Sequence, residues 1–469
     1  MQNTPLIKYI SSLNDADFLQ FRLWLQSPFF NHREELVKLL DWVSVNITNN
    51  FNLNLTSNFT KEAAFQHLFP SKPYNDQHLR HLMSYLLQQL RQFLIWQSLQ
   101  QNEVEQQLLL LENLQQRGLA KPFEKQRKKT EKILEKRPFR NDQFHFYEYQ
   151  IQVEQYQFLK TQSREAKMPL KEIASTFTTF AIANVLKWHC SILTHKSVTQ
   201  TEYDISFLEQ ILMYLEKGFY QNIPAIQIYY QTYQALTTGN ESSYKQLKIL
   251  ILQNLKAFPI NEIRDIILLA INYCIRRLNS GESDYLKEVF EWYKMGLREN
   301  IFIINGELSR FTYNNITLAG LKLKEYDWIK NFMENYKTHI AKTHQHDTYY
   351  FNLALWYQFQ KQYEAVQELL LKVTFKDVLH ALHAKRILLK IYYETKAEKA
   401  LESLLDSIKI YLYRHKKLGY HKDNYLKLVK YTQKLVRLNP YNKTAKTELR
   451  QAIENEKSLL EKAWFLEQL

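Results

Sequence analysis

The sequence predicts an all-α protein: stacked antiparallel helical hairpins, forming an α-solenoid, behind an N-terminal helical unit. Three observations carry that expectation. The 469 residues include 8 glycines and 10 prolines, where average usage of about 7% and 5% would give roughly 33 and 23. Sheets draw on those residues for a turn every 8 to 12 positions or so, and this chain cannot supply them. Apolar side chains recur at helical spacing along most of the chain. In the second half, short turns followed by a tyrosine return at a nearly constant interval.

The elements can be read in order. Asn14, with Asp17 three residues on, caps a helix whose inward positions are Phe18, Phe21 and Leu25, and Ser27-Pro28 ends it. A second helix is expected from about His32 to Ile47, with Leu36, Leu39, Leu40 and Val43 inward, followed by an Asn-rich loop from Asn49 to Asn58. Thr60 caps a short helix ending at Phe69-Pro70, and Asn75 opens the long segment to Gln97. These elements make up an N-terminal unit over 1–100. Over 101–222 long helices are paired irregularly: one closes at Gly118, one begins at Pro122, one begins at Asn141, and one runs from Pro169 through Trp188.

From 223 to 417 the chain is periodic. Turns at 239–242, 279–283, 324–326 and 360–362 lead into Tyr244, Tyr285, Tyr326 and Tyr363, which lie 41, 41 and 37 residues apart, and Ala397 follows 34 later. Spacings of this size mark stacked two-helix units of the tetratricopeptide or longer HEAT-like kind. A single pair cannot bury its own apolar face, so each leans on its neighbours. Residues 418–469 then read as basic and capping helices, with Leu449, Ile453, Leu460 and Trp464 along one face of a helix from about Ala445.

The stretch FNLALWYQFQKQYEAVQELL, Phe351 to Leu370, resembles a degenerate tetratricopeptide unit, with Ala354, Tyr363 and Ala365 near the small and aromatic packing positions. It lacks the glycine of the first helix and the terminal proline. Together with SPFFN (Ser27–Asn31), Leu68–Leu90 and Leu401–Leu418, it makes the chain similar to a set of uncharacterised bacterial helical-repeat proteins of about this length. That resemblance implies a helical-repeat fold and brings no activity and no functional residues with it.

Composition narrows the function further. Cys190 and Cys274 are too few for a disulfide framework and sit in apolar helical patterns, as small core residues in a reducing compartment. With no apolar run of signal-peptide or membrane-spanning length, a cytoplasmic location is expected. Glycine-rich phosphate loops and nucleophile elbows are absent, so no catalytic residue and no cofactor is expected. His189 and Cys190 are neighbours about 100° apart on a helix and do not face each other. The pairs His78/His81 and His380/His383 lack the glutamate and third ligand of a zinc-hydrolase helix and read as polar or half-buried surface positions, while His344 and His346 read as a loop before a helix start at Thr348. Large aromatic rings are expected to fill the gaps between helical pairs without close approach at glycine.

The net charge of +14 is concentrated. Residues 121–140 hold nine Lys/Arg against three Glu, with Lys125, Lys128, Lys132 and Lys136 on one stripe. Residues 376–450 hold 18 Lys/Arg against 7 Asp/Glu, with Lys427, Lys430, Lys434 and Arg437 on another. Such stripes can follow phosphates or an acidic partner, although most charged helix faces are merely solvated. The leading expectation is a non-enzymatic scaffold or adaptor that binds a protein or peptide on its helical surface. The alternative is a nucleic-acid-associated protein using the basic helices.

Overall fold

The computed structural model describes residues 1, 3–51, 59–162, 167–199, 203, 207–373, 375, 377–415, 418, 420–439, 441–456 and 458–469. Among them lie twenty-three α-helices and one two-stranded ribbon, so the all-α expectation is met. The ribbon pairs β1 (Ile303–Ile304) with β2 (Glu307–Leu308) through Asn305-Gly306, both at positive φ (50° and 81°). That is the Asn-Gly turn whose twist suits a hairpin, and the dipeptide was its signal in the sequence. No helix among the described residues is long and apolar enough to cross a membrane. The chain divides into two compact units, Met1–Asn184 and Val185–Leu469.

In the first unit, α1 (Pro5–Ile10), α2 (Asp15–Gln26), α3 (Glu34–Phe51), α4 (Lys61–Leu68) and α5 (Asp76–Gln101) enclose a core that includes Phe21, Leu40, Phe65, Leu86 and Phe93. The expected caps are made. Asn14 accepts from the Asp17 N–H at 2.8 Å, Thr60 from Ala63 at 3.1 Å and Asn75 from His78 at 2.9 Å, each contributing about 1 kcal/mol. The expected loop at 49–58 is corrected at its start, because α3 continues to Phe51; residues 52–58 lie outside those described. A second core, with Leu111, Phe123, Leu134 and Ile151, joins α6 (Glu103–Gln116), α7 (Ala120–Lys136) and α8 (Asp142–Gln162). Helix α7 begins two residues before Pro122, whose missing N–H costs nothing in a first turn. Helix α9 (Leu170–Thr199), in which the first unit ends, runs on past Trp188.

The second unit opens with α10 (Leu208–Glu216). Five pairs follow: α11 (Pro224–Thr238) with α12 (Glu241–Gln253), α13 (Ile260–Asn279) with α14 (Tyr285–Arg298), α15 (Arg310–Lys322) with α16 (Tyr326–Tyr336), α17 (Lys342–Phe359) with α18 (Tyr363–Lys372), and α19 (Val378–Glu394) with α20 (Glu398–Arg414). The helices of each pair pack together. First helices also touch across pairs, α11 on α13, α15 on α17 and α17 on α19. Tyr285, Tyr326 and Tyr363 are each the first residue of the second helix of a pair, whereas Tyr244 is the fourth residue of α12.

Four within-pair turns close alike. Gly281, Lys324, Lys361 and Lys396 adopt φ of 99°, 63°, 59° and 56°. The N–H that follows donates back to the carbonyl five residues earlier: Glu282 to Arg277 at 3.1 Å, Glu325 to Gly320 at 2.9 Å, Gln362 to Tyr357 at 3.0 Å and Ala397 to Tyr392 at 2.8 Å. This is the Schellman closure, which satisfies carbonyls the helix end would otherwise leave open.

Two corrections concern packing. Glycine-close approach does occur: a Cβ at Gly296 would run into the Phe302 ring, and one at Gly320 into the Ile329 side chain. The C-terminal helix expected from Ala445 through Trp464 is two helices, α22 (Lys443–Asn455) and α23 (Lys462–Glu467), after α21 (Tyr420–Val436). The Lys462 ammonium donates to the Glu454 and Glu456 carbonyls at 2.6 and 3.2 Å, and Glu461 has a positive φ of 58°. The break lets Trp464 and Phe465 bury against α19 and α21 on the same core as Leu449 and Ile453.

Candidate functional site

The second helices of three consecutive pairs, α12, α14 and α16, frame a groove of about 680 Å³. Its floor is aromatic. On α16, Trp328, Phe332 and Tyr336 stand at i, i+4 and i+8, the spacing that places side chains above one another on one face. Successive ring centroids are 5.6 and 5.2 Å apart, and Phe290 meets Trp328 edge-on at 5.0 Å. Trp292 of α14 completes the floor. Its indole N–H donates to the Tyr244 hydroxyl at 2.9 Å; that hydroxyl donates to Glu288 at 2.9 Å, and Lys248 donates to the same carboxylate at 2.6 Å.

This network fixes the protonation states beneath the groove. Burial, reinforced by Cys274 and Glu288, raises the Tyr244 phenol well above its usual range, so it stays protonated. Burial pushes the Cys274 thiol up to about 12, and that thiol donates to the Tyr244 oxygen at 3.2 Å. A thiol held neutral in this way is unreactive. Burial opposes the charge of Glu288, but hydrogen bonds from Lys248 and Tyr244 hold it below the ordinary carboxylate value.

The rim is polar. Lys294 pairs with Glu291 at 3.1 Å and Arg298 with Glu299 at 3.0 Å. Asn331 and Asn335, one turn apart on α16, are exposed and make no hydrogen bond among the described residues. Each amide offers a donor and an acceptor together, matching the two groups of a peptide unit. A second groove, of about 500 Å³, runs over the first helices α15, α17 and α19 and is walled on one side by Glu461 and α23. There Glu461 pairs with Lys390 at 2.9 Å and Arg386 at 3.4 Å, and the Trp464 indole donates to Glu394 at 2.8 Å.

The two lysine stripes fare differently. Lys125, Lys128, Lys132 and Lys136 are all exposed on α7, and none has an acidic partner among the described residues. Arg127 holds Glu124 at 3.0 Å and Glu131 at 2.5 Å. On α21, Lys427 is half-buried, bound to Glu456 at 2.8 Å and to Ser458 at 3.0 Å. Lys430, Lys434 and Arg437 remain exposed.

The remaining candidates occupy ordinary structural sites. His189 lies 2.6 Å from the Val185 carbonyl and the Cys190 thiol donates to the Tyr229 carbonyl at 3.4 Å, so the neighbours engage different partners. His383 is half-buried, as expected, against Phe351 and Tyr425, whereas His380 is more deeply buried than expected, at 6% exposure. His344 and His346 stand within α17, which begins at Lys342 and not at Thr348. Among the described residues no three metal-ligating side chains come together. No family model, no curated protein and no solved structure matches the chain. The groove escaped sequence reasoning because its walls come from helices about forty residues apart. The Trp328, Phe332, Tyr336 spacing was its only local signal.

Proposed function

We propose that the protein is a non-enzymatic scaffold whose 223–417 region is an α-solenoid of tetratricopeptide-like hairpins, capped by 418–469, that holds an extended protein segment in the α12–α14–α16 groove. The carrying observation is the aromatic floor flanked by the unpaired amides of Asn331 and Asn335. Rings supply contact area at low conformational cost, and the amides can pair with peptide groups whatever the side chains. The reach of side-chain hydrogen bonds supports the stacked reading. Tyr244 to Glu288 spans 44 residues and Asn352 to Asn314 spans 38, about one hairpin; Arg310 to Asp377 spans 67 and Lys390 to Glu461 spans 71, about two. Bonds that reach one or two hairpins along the chain suit a repeat architecture, in which contacts stay local along the stack.

The test is selection of binding peptides from a displayed random library against the full chain, followed by affinity measurement on variants. Truncating an anchoring aromatic costs about 2 kcal/mol or more, and each lost hydrogen bond about 0.5–1.5 kcal/mol. Trp328→Ala should therefore weaken selected peptides at least about 30-fold, and the Asn331→Ala/Asn335→Ala pair, at one bond each, about 5- to 150-fold. Peptides that bind both variants as tightly as the parent would refute the groove.

A further inference from the structure

We propose that α7 presents a lysine ridge that binds the phosphodiester backbone of a nucleic acid. Lys121, Lys125, Lys128, Lys132 and Lys136 follow one another at steps of four, three, four and four residues. At about 1.5 Å rise per residue they form a straight line of charge about 22 Å long. All five are exposed, as is Lys129 beside them.

What distinguishes this face from a solvated charge run is the fate of its acids. Of the three glutamates on α7, Glu124 and Glu131 are both tied to Arg127, itself largely covered, leaving Glu135 at the ridge's edge as the remaining acid. One arginine thus takes up two opposing charges, and the lysines act on solvent without an acidic partner. The α21 stripe lacks this arrangement, since its first lysine is tied to Glu456.

The chemistry favours a nucleic acid over a lipid surface. The apolar residues Phe123 and Leu134 of α7 are buried in the unit's own core. No apolar face therefore remains to enter a bilayer, which membrane-surface helices require. A duplex offers a negative charge about every 1.7 Å of its axis, so a 22 Å ridge can engage several phosphates without reading base sequence.

The test uses the full chain and fluorescence anisotropy with labelled duplex DNA of about 20 base pairs, labelled single-stranded RNA of similar length, and phosphatidylserine vesicles, from about 50 to 200 mM salt. Micromolar binding to at least one nucleic acid is expected at about 50 mM salt. Four contacts should give log K against log salt a slope of about −3 to −4 on a duplex and a shallower one on a single strand. Gln at Lys125, Lys128, Lys132 and Lys136 should weaken binding at least about 30-fold and flatten the slope, with the circular dichroism spectrum unchanged. Lys430→Gln/Lys434→Gln/Arg437→Gln should stay within about two-fold of the parent, as should Trp328→Ala, which separates this surface from the peptide groove. Absence of binding to either nucleic acid at the lowest salt, equal loss in the α21 variant, or tighter binding to vesicles than to both nucleic acids would overturn the proposal.

Discussion

His383 lies between the rings of Phe351 and Tyr425, with centroids 5.8 and 6.5 Å away. Burial, followed by the positive surroundings of Arg386, His380 and His421, lowers its pKa from 6.5 to about 4, while Asp377 pulls weakly the other way. The unfolded chain takes up a proton near pH 6.5, whereas the folded chain resists until about 4. Stability is therefore full above pH 6.5 and is lost as pH falls toward 4, by up to about 3 kcal/mol for a shift of this size. His380 is shifted in the same direction, first by burial, and adds to the effect. The melting temperature should fall steadily from pH 6.5 to 4.5 in the parent and less steeply in His383→Gln. Parallel losses in the two proteins would assign the acid sensitivity elsewhere. The spacing of the two histidines was plain in the sequence. The full burial of His380 was not, because packing against Phe351 of α17 and Phe375 decides it and not the helix that carries it.

At the scale of elements, the turns show how a chain poor in glycine builds hairpins. Gly281 closes one pair, but Lys324, Lys361 and Lys396 close the next three in the same left-handed conformation. A residue with a side chain pays about 1–2 kcal/mol there that glycine does not, and glycine loses part of that advantage through its freer unfolded chain. Lys324→Gly should therefore stabilise the protein by about 0.5–1 kcal/mol, seen as a rise in melting temperature. A fall would mean that the aliphatic stem of Lys324 packs more than its exposure indicates. Caps and turns of this kind were the most legible features: Asn14, Thr60 and Asn75 each cap as their spacing required, and three tyrosines each open a helix. Less legible were the continuation of α9 to Thr199 and the break after Asn455. Helical periodicity says that a segment is helical but does not say where tertiary partners allow it to stop. The groove lay beyond reach for the same reason, since Lys248, Trp292 and Asn331 share no local pattern.

At the scale of the second unit, two kinds of cohesion are in competition. Were its core one globular whole, a lesion at one end would loosen every helix. If each pair leans only on its neighbours, damage should fade with distance along the chain. Trp464 separates the cases. It is 5% exposed, donates to Glu394 of α19 at 2.8 Å and meets Tyr393 edge-on at 5.3 Å. Among the described residues its core takes in Phe351 onward, on α17 to α23, and none from α11 to α13. Trp464→Ala removes a large buried ring, at a cost of about 3–5 kcal/mol, and leaves Glu394 without one of its donors. Native-state hydrogen exchange should then show protection falling across α19 to α21 while α11 to α13 keep theirs, because local opening free energies differ along such a structure. Equal loss in α11 to α13 would show the unit to be one cooperative core, and the stacked reading, with the groove it supports, would have to be abandoned.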